Sequence, residues 1–112
     1  MKQVILDTSF IMSCIRAKID FFEEIRFMGM EILIPEEVIG ELKKKKAETA
    51  LKLLEKSEFK KIKLETKNVD KGIIDYAKET PELVVATLDK KIKISVKNSK
   101  LIIRNKKKLE II

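Results

Sequence analysis

Val4-Ile5-Leu6-Asp7-Thr8-Ser9-Phe10-Ile11-Met12 is the stretch on which the reading of this chain turns. Val4-Ile5-Leu6 is an apolar run too short for a helix and suited to a buried strand, so a strand is expected over Lys2 to Leu6. Asp7 then stands at the strand's C-terminal end. Asp7-Thr8-Ser9 offers three side-chain oxygen groups and a helix cap, and behind it apolar and polar residues alternate at helical spacing to about Ala17.

Working outward, the same alternation of short apolar runs and amphipathic stretches continues. A second helix is expected from Asp20 or Phe21 to Phe27 or Met28, stopped by Gly29, and a second strand over Glu31 to Ile34. Pro35 suits the first turn of a helix, and Glu36 and Glu37 suit its positive N-terminal end; Val38, Ile39 and Leu42 point inward. Lys43 to Lys46 marks a solvated turn or ridge, after which Ala50, Leu51 and Leu54 resume core spacing. Phe59 to Leu64 reads as a strand, Val69-Asp70 opens a helix carrying Ile73, Ile74 and Ala77, and Pro81 ends it. Leu83 to Ala86 is a further buried strand, followed by Thr87-Leu88-Asp89 and a short helix with Ile92 and Val96 on one face. Leu101 to Ile103 is a strand and Leu109 to Ile112 a small edge strand. Strands alternating with helices indicate parallel β-α-β units, an α/β fold with helices on both faces of the sheet. No internal repeat or linker divides the 112 residues, and a single domain over 1–112 is expected.

Composition narrows the chemistry. The chain has no His, which excludes Ser-His and Cys-His nucleophile pairs, a His general base and His-ligated zinc or haem. Catalysis has to rest on carboxylates, Lys, hydroxyls or an oxygen-ligated metal. The one cysteine, Cys14, forbids an internal disulfide and reads as a small buried hydrophobe, in keeping with a reducing cytoplasm. Asp7 interrupts the N-terminal apolar run, so no signal peptide is expected, and no run approaches the length of a membrane span. A soluble, cytoplasmic protein is expected.

The 25 Lys and Arg outnumber the 18 Asp and Glu, for a formal charge of +7. Residues 1–40 carry 4 basic and 7 acidic groups, whereas 41–112 carry 21 and 11, so the positive surface belongs to the second part. Lys43, Lys44, Lys45 and Lys46, the Lys60-Lys61-Ile62-Lys63 stretch, and Lys106, Lys107 and Lys108 are the densest clusters. They suit an anionic polymer such as RNA, and equally suit the solvated lysines of a thermophile or an AT-rich genome.

Ligands of parallel sheets bind at the C-terminal strand ends. Asp7 and Asp89 both fall there, with Thr8, Ser9 and Thr87 beside them, and Glu41 and Asp70 lie at helix positions that can adjoin the same edge. Four converging carboxylates repel unless cations share the site, which points to Mg²⁺ or Mn²⁺ with oxygen ligands and water. Such a site hydrolyses phosphodiesters without His. The simpler roles are helix caps for Asp70 and Asp89, and solvent exposure or an i,i+4 pair with Lys45 for Glu41. Asp7 is the acid least open to such an account, since a charge directly after a buried strand needs a partner.

These residues, with Ile34-Pro35-Glu36-Glu37-Val38-Ile39-Gly40-Glu41-Leu42, Val69-Asp70-Lys71-Gly72-Ile73-Ile74 and Val84-Val85-Ala86-Thr87-Leu88-Asp89-Lys90-Lys91-Ile92, resemble the PIN-domain nucleases in order and spacing from residue 4 to about 104. The resemblance implies a three-layer α/β/α sandwich with a mostly parallel sheet and a metal-dependent ribonuclease site. Asp7, Glu41, Asp70 and Asp89 match the family's acidic quartet, with Ser9 and Thr87 as supporting hydroxyls. Within the family the chain is similar to archaeal relatives of the small-subunit rRNA-processing PIN proteins. Residue 71 is Lys where a second acid is frequent, and residue 88 is Leu where a polar residue is common; Asp75 is a candidate to compensate for the former. The resemblance implies a Mg²⁺- or Mn²⁺-dependent endoribonuclease, with rRNA processing as the role to which it points. Two other readings are a VapC-type toxin ribonuclease held by an antitoxin, and a catalytically weak RNA-binding or assembly module in ribosome biogenesis. Self-association is common among PIN proteins, and Phe21-Phe22 and Phe27-Met28 are candidates either for a homodimer surface or for the core.

Overall fold

The computed structural model describes residues 2–112. Its elements run β1 (Lys2–Leu6), α1 (Thr8–Ala17), α2 (Phe21–Phe27), β2 (Met30–Pro35), α3 (Glu36–Lys44), α4 (Glu48–Lys56), β3 (Lys60–Ile62), α5 (Val69–Glu79), β4 (Val84–Ala86), α6 (Lys90–Ser95), β5 (Lys100–Arg104) and β6 (Lys108–Ile111). The six strands form one sheet in the order β3-β2-β1-β4-β5-β6. All neighbours pair in parallel except β5 and β6, which form an antiparallel hairpin at the edge. The chain steps from β1 through β2 to β3 on one side and from β4 to β5 on the other. Right-handed crossovers then place the helices on opposite faces. Helices α1, α3 and α4 pack together, and α5 packs with α6, as the α/β/α sandwich requires.

Burial explains why these segments are strands. Val4, Ile5, Leu6, Leu33, Ile34, Val84, Val85 and Ala86 are fully buried because the central strands are covered on both faces. Phe10, Phe21 and Phe22 join them, with ring centroids 6.3 Å apart for Phe10–Phe21 and 4.7 Å for Phe21–Phe22. Phe21-Phe22 is therefore core, whereas Phe27 is 87% exposed and Met28 lies beside it on the surface. The buried residues of α2 are Phe21, Phe22 and Ile25, and position 27 falls off that face. Cys14 is buried and free, and burial, with the charge of Glu24, pushes its thiol up to about 12. It acts as a small hydrophobe.

Local chemistry sets the element ends. Lys18 takes a left-handed φ of 58° and closes α1, Asp20 caps α2, and Asn68 caps α5 by accepting from the Lys71 N–H at 3.1 Å. Strand β3 is shorter than its apolar pattern predicts. Only Lys60–Ile62 pairs with β2, and the Leu64 N–H turns away to donate to Glu37 Oε1 at 3.1 Å. Helix α6 also ends early, at Ser95, with Val96 buried but extended. Nearby, buried Asn98 directs its side-chain N–H groups to the carbonyls of Ala77 at 3.1 Å, Thr80 at 2.9 Å and Leu83 at 2.9 Å. One amide thus ties the end of α5 to the start of β4. Among the described residues no helix is long and apolar enough to cross a membrane.

Candidate active site

The order of strands reverses between β1 and β4, with β2 and β3 on one flank and β5 and β6 on the other. In open α/β sheets the crevice beyond the C-terminal ends of the strands at such a switch point is the place where ligands bind. Asp7 leaves β1 there, and Thr87 to Asp89 leaves β4 beside it. The Asp7 N–H donates to the Ala86 carbonyl at 3.2 Å, so the two turns depart in register.

Asp7 is 4% exposed, and each of its oxygens is engaged. Oδ1 accepts from the Phe10 N–H at 2.8 Å, capping α1, and from the Ser9 hydroxyl at 2.9 Å. Oδ2 accepts from the Thr87 hydroxyl, whose oxygen in turn accepts from the Asp89 N–H at 3.0 Å. The Leu88 N–H donates to Ser9 Oγ at 3.3 Å. Backbone atoms therefore complete this turn, and a polar side chain at 88 is not needed to join it to α1. Asp89 Oδ1 accepts from the Lys91 N–H at 2.8 Å, so this acid does cap α6 while facing the crevice.

Glu41 and Asp70 arrive from helices. Glu41 sits on the second turn of α3, which packs against α1, and its Oε1 accepts from the Thr8 hydroxyl. It is committed to the crevice rather than to Lys45; among the described residues the one ion pair is Arg104–Glu110. Asp70 lies in the first turn of α5, where Asn68 performs the capping and leaves the Asp70 carboxylate clear of that task. All four acids line one cavity of about 310 Å³, together with Thr8, Ser9, Met12 and Val69 and the cations Arg16 and Lys45.

Their crowding is visible in the proton affinities. Burial raises the Asp7 carboxyl above its ordinary value, the hydrogen bonds from Thr87, Phe10 and Ser9 oppose this, and the charge of Asp89 adds to the rise. Asp70 is raised by burial and then by the negative charges of Asp89 and Glu41, with Lys91 pulling the other way. The negative charges of Asp89 on Asp7, and of Asp89 and Glu41 on Asp70, create a demand for positive charge in the shared cavity. The donor set is oxygen only, which suits Mg²⁺ or Mn²⁺. Among the described residues no three Asp, Glu or Cys side chains are disposed to close directly on one ion. The fit is to a hard cation that keeps several waters and takes one or two carboxylates directly, as Mg²⁺ commonly does.

Not every expected residue meets this cavity. Lys45 does, whereas Lys43, Lys44 and Lys46 are exposed on the ridge beside it. Lys106, Lys107 and Lys108 form the β5–β6 turn and the start of β6, at the same edge of the sheet because β5 runs parallel to β4, but outside the crevice. Lys71 and Asp75 line a separate cavity with Tyr76, and neither lines the acidic crevice. Arg16 is the residue that reading the sequence missed. The spacing Ser9, Met12, Arg16 on α1 already places it on the cavity-facing stripe.

A family model described as a PIN like domain matches residues 4–107. The chain belongs to the PIN-like domain family. Among curated proteins none matches it. Among solved structures it is similar to that titled "Structure of the PIN domain endonuclease Utp24", with a TM-score of 0.85 and 27% identity over 97% of this chain and 90% of that one. The PIN-like model spans every element that contributes a carboxylate to the crevice, from β1 through α6.

Proposed function

We propose that this protein is a Mg²⁺- or Mn²⁺-dependent endoribonuclease, with ribosomal RNA as the substrate to which the resemblance of its motifs points. The observation that carries the proposal is the meeting of Asp7, Glu41, Asp70 and Asp89, from four separate segments, in one cavity at the switch point of the sheet. Similarity to an endonuclease over nearly the whole of both chains supports it.

In this reading Asp7, Glu41 and Asp89 hold the cation directly or through water, and Asp70 completes the site and orients the attacking water. When bound, the cation supplies positive charge against the phosphate oxygens and makes water more acidic. Thr87 and Ser9 hold Asp7 in one rotamer, so its carboxylate does not have to be reorganised when substrate arrives. Thr8 does the same for Glu41. In the hydrolysis, a water oxygen bonds to phosphorus, the bond from phosphorus to the leaving ribose oxygen breaks, and that oxygen takes up a proton. Lys43, Lys44, Lys46 and the lysines at 106–108 attract the remaining phosphates from outside the acidic crevice, and Lys45 does so from its wall.

The test is cleavage of a single-stranded RNA by purified protein with Mn²⁺, with Mg²⁺, and with EDTA. Cleavage that requires the metal and is lost in Glu41→Gln and Asp70→Asn supports the assignment. Metal-independent cleavage, or none by the wild type with either metal, overturns it.

A further inference from the structure

Two cations share the acidic cavity without neutralising it. Arg16 and Lys45 both line its wall, yet neither forms an ion pair; the one ion pair among the described residues is Arg104–Glu110. Lys45 lies four residues after Glu41, the spacing at which a Glu–Lys pair forms on a helix. Glu41 is instead taken by the Thr8 hydroxyl, which leaves the ammonium free. The Arg16 guanidinium has a single hydrogen bond among the described residues, donating from Nη2 to Ser13 Oγ at 3.2 Å. Ser13 lies one turn nearer the start of α1, so the guanidinium is drawn back along the helix toward the carboxylate end.

The two helices repeat one arrangement. On α1 the acidic end is Asp7, and Arg16 lies about 10 Å along the axis from Ser9 at 1.5 Å per residue. On α3 the acid is Glu41, and Lys45 lies about 6 Å further on. Helices α1 and α3 pack against each other, and both cations reach the one cavity from the C-terminal ends of these helices. Cations left unpaired this close to acids are poorly explained by stability alone. They suit an anionic group that enters beside the acids, and a guanidinium is well matched to phosphate oxygens.

We propose that Arg16 and Lys45 form a phosphate-positioning subsite, holding a phosphate of the RNA chain that neighbours the one presented to the carboxylates. The assignment rests on the nuclease reading and gives it a direction: the strand crosses the crevice from the carboxylates toward the C-terminal ends of α1 and α3. Arg16 and Lys45 are positioning residues, since they act on a phosphate other than the reacting one.

The test compares wild type, Arg16→Gln and Lys45→Gln, both exposed positions where the fold should be unaffected, with thermal melts confirming this. Affinity for a fluorescein-labelled single-stranded RNA is measured in EDTA across a salt series, Mn²⁺ affinity by calorimetry, and cleavage with Mn²⁺ on RNAs carrying one neutral methylphosphonate linkage at successive positions. Each variant is expected to bind RNA about tenfold more weakly at low salt, with the salt slope reduced by about 0.7, and to keep its Mn²⁺ affinity. One neutral linkage beside the cleaved bond should slow the wild type but leave Arg16→Gln no slower than it already is. Unchanged RNA affinity and salt slope in both variants overturns the subsite while wild-type cleavage leaves the nuclease reading intact. A loss of Mn²⁺ affinity with RNA affinity unmoved also overturns it, because the cations would then serve the acids. If the wild type fails to cleave but the variants show the reduced slope, the nuclease reading fails and the subsite stands. If the wild type neither binds nor cleaves RNA, both fail.

Discussion

Replacing Asn98 by Ala tests how the fold holds the site together. Its amide is buried, and its N–H groups serve the Ala77, Thr80 and Leu83 carbonyls at 2.9 to 3.1 Å, with the Pro81 carbonyl at 3.4 Å. The three carbonyls share the two N–H donors of one amide, so removing it deletes two hydrogen bonds' worth, about 1 kcal/mol each, and leaves a buried carbonyl without a donor, at about 1–3 kcal/mol. The expected loss is about 3–5 kcal/mol. For a chain of this length that corresponds to a fall of about 12–20 °C in Tm. Asn98→Asp keeps the shape but sets carboxylate oxygens against carbonyls, and should cost at least as much. Urea unfolding followed by circular dichroism gives the free energies, and a thermal melt the shift. If both variants lie within about 1 kcal/mol of wild type, the amide is not the tie between α5 and β4, and the reasoning fails.

Three other outcomes follow from the site. Asp7 has a raised pKa in the folded protein, so between its ordinary value of 3.8 and the raised value the native state binds more protons than the unfolded one, and stability falls as pH rises through that window. Asn preserves the cap of α1, so metal-free Asp7→Asn should melt above wild type at neutral pH, with the gap closing below about pH 3; a lower Tm for the variant at neutral pH contradicts this. Thr87→Val deprives Asp7 of a donor and the Asp89 N–H of an acceptor, and should cost about 1–3 kcal/mol and weaken Mn²⁺ binding, while Thr87→Ser restores both on calorimetry and urea unfolding. At Gly72 an added Cβ would stand 2.9 Å from Leu64 Cδ1 and 3.0 Å from both Leu64 Cβ and Thr66 Cγ2. Gly72→Ala should therefore destabilise by about 1–2 kcal/mol in urea, although Ala favours helix, and should weaken Mn²⁺ binding by shifting Asp70.

Much of this was legible because each central strand is an apolar run that ends at a polar residue or a proline: Asp7, Pro35 and Thr87. Val4-Ile5-Leu6 before Asp7 and Val84-Val85-Ala86 before Thr87 mark both the layer and its binding edge. What escaped the sequence depends on pairings it does not display. Strand β3 stops at Ile62 because the Leu64 N–H finds Glu37, a partner 27 residues away. The role of Asn98 rests on backbone carbonyls, which any sequence would supply. Asp70 and Asp89 read alike as caps, yet only Asp89 is one, since Asn68 had already taken the place at α5. Glu41 and Lys45 have the spacing of an ion pair, yet they form none, and Glu41 accepts from Thr8 of another helix instead. Arg16 was readable from helical spacing alone, but only once Ser9 was known to face the cavity.

The most direct measurement of the central claim is Mn²⁺ titration calorimetry on wild type, Asp7→Asn and Asp89→Asn, with cleavage of a single-stranded RNA followed on the same samples. Both substitutions preserve helix caps, so the fold should survive. The wild type should bind Mn²⁺ and cleave, and both variants should lose the two properties together. Mn²⁺ binding equal to wild type in both variants, or wild-type protein that binds none, would contradict it.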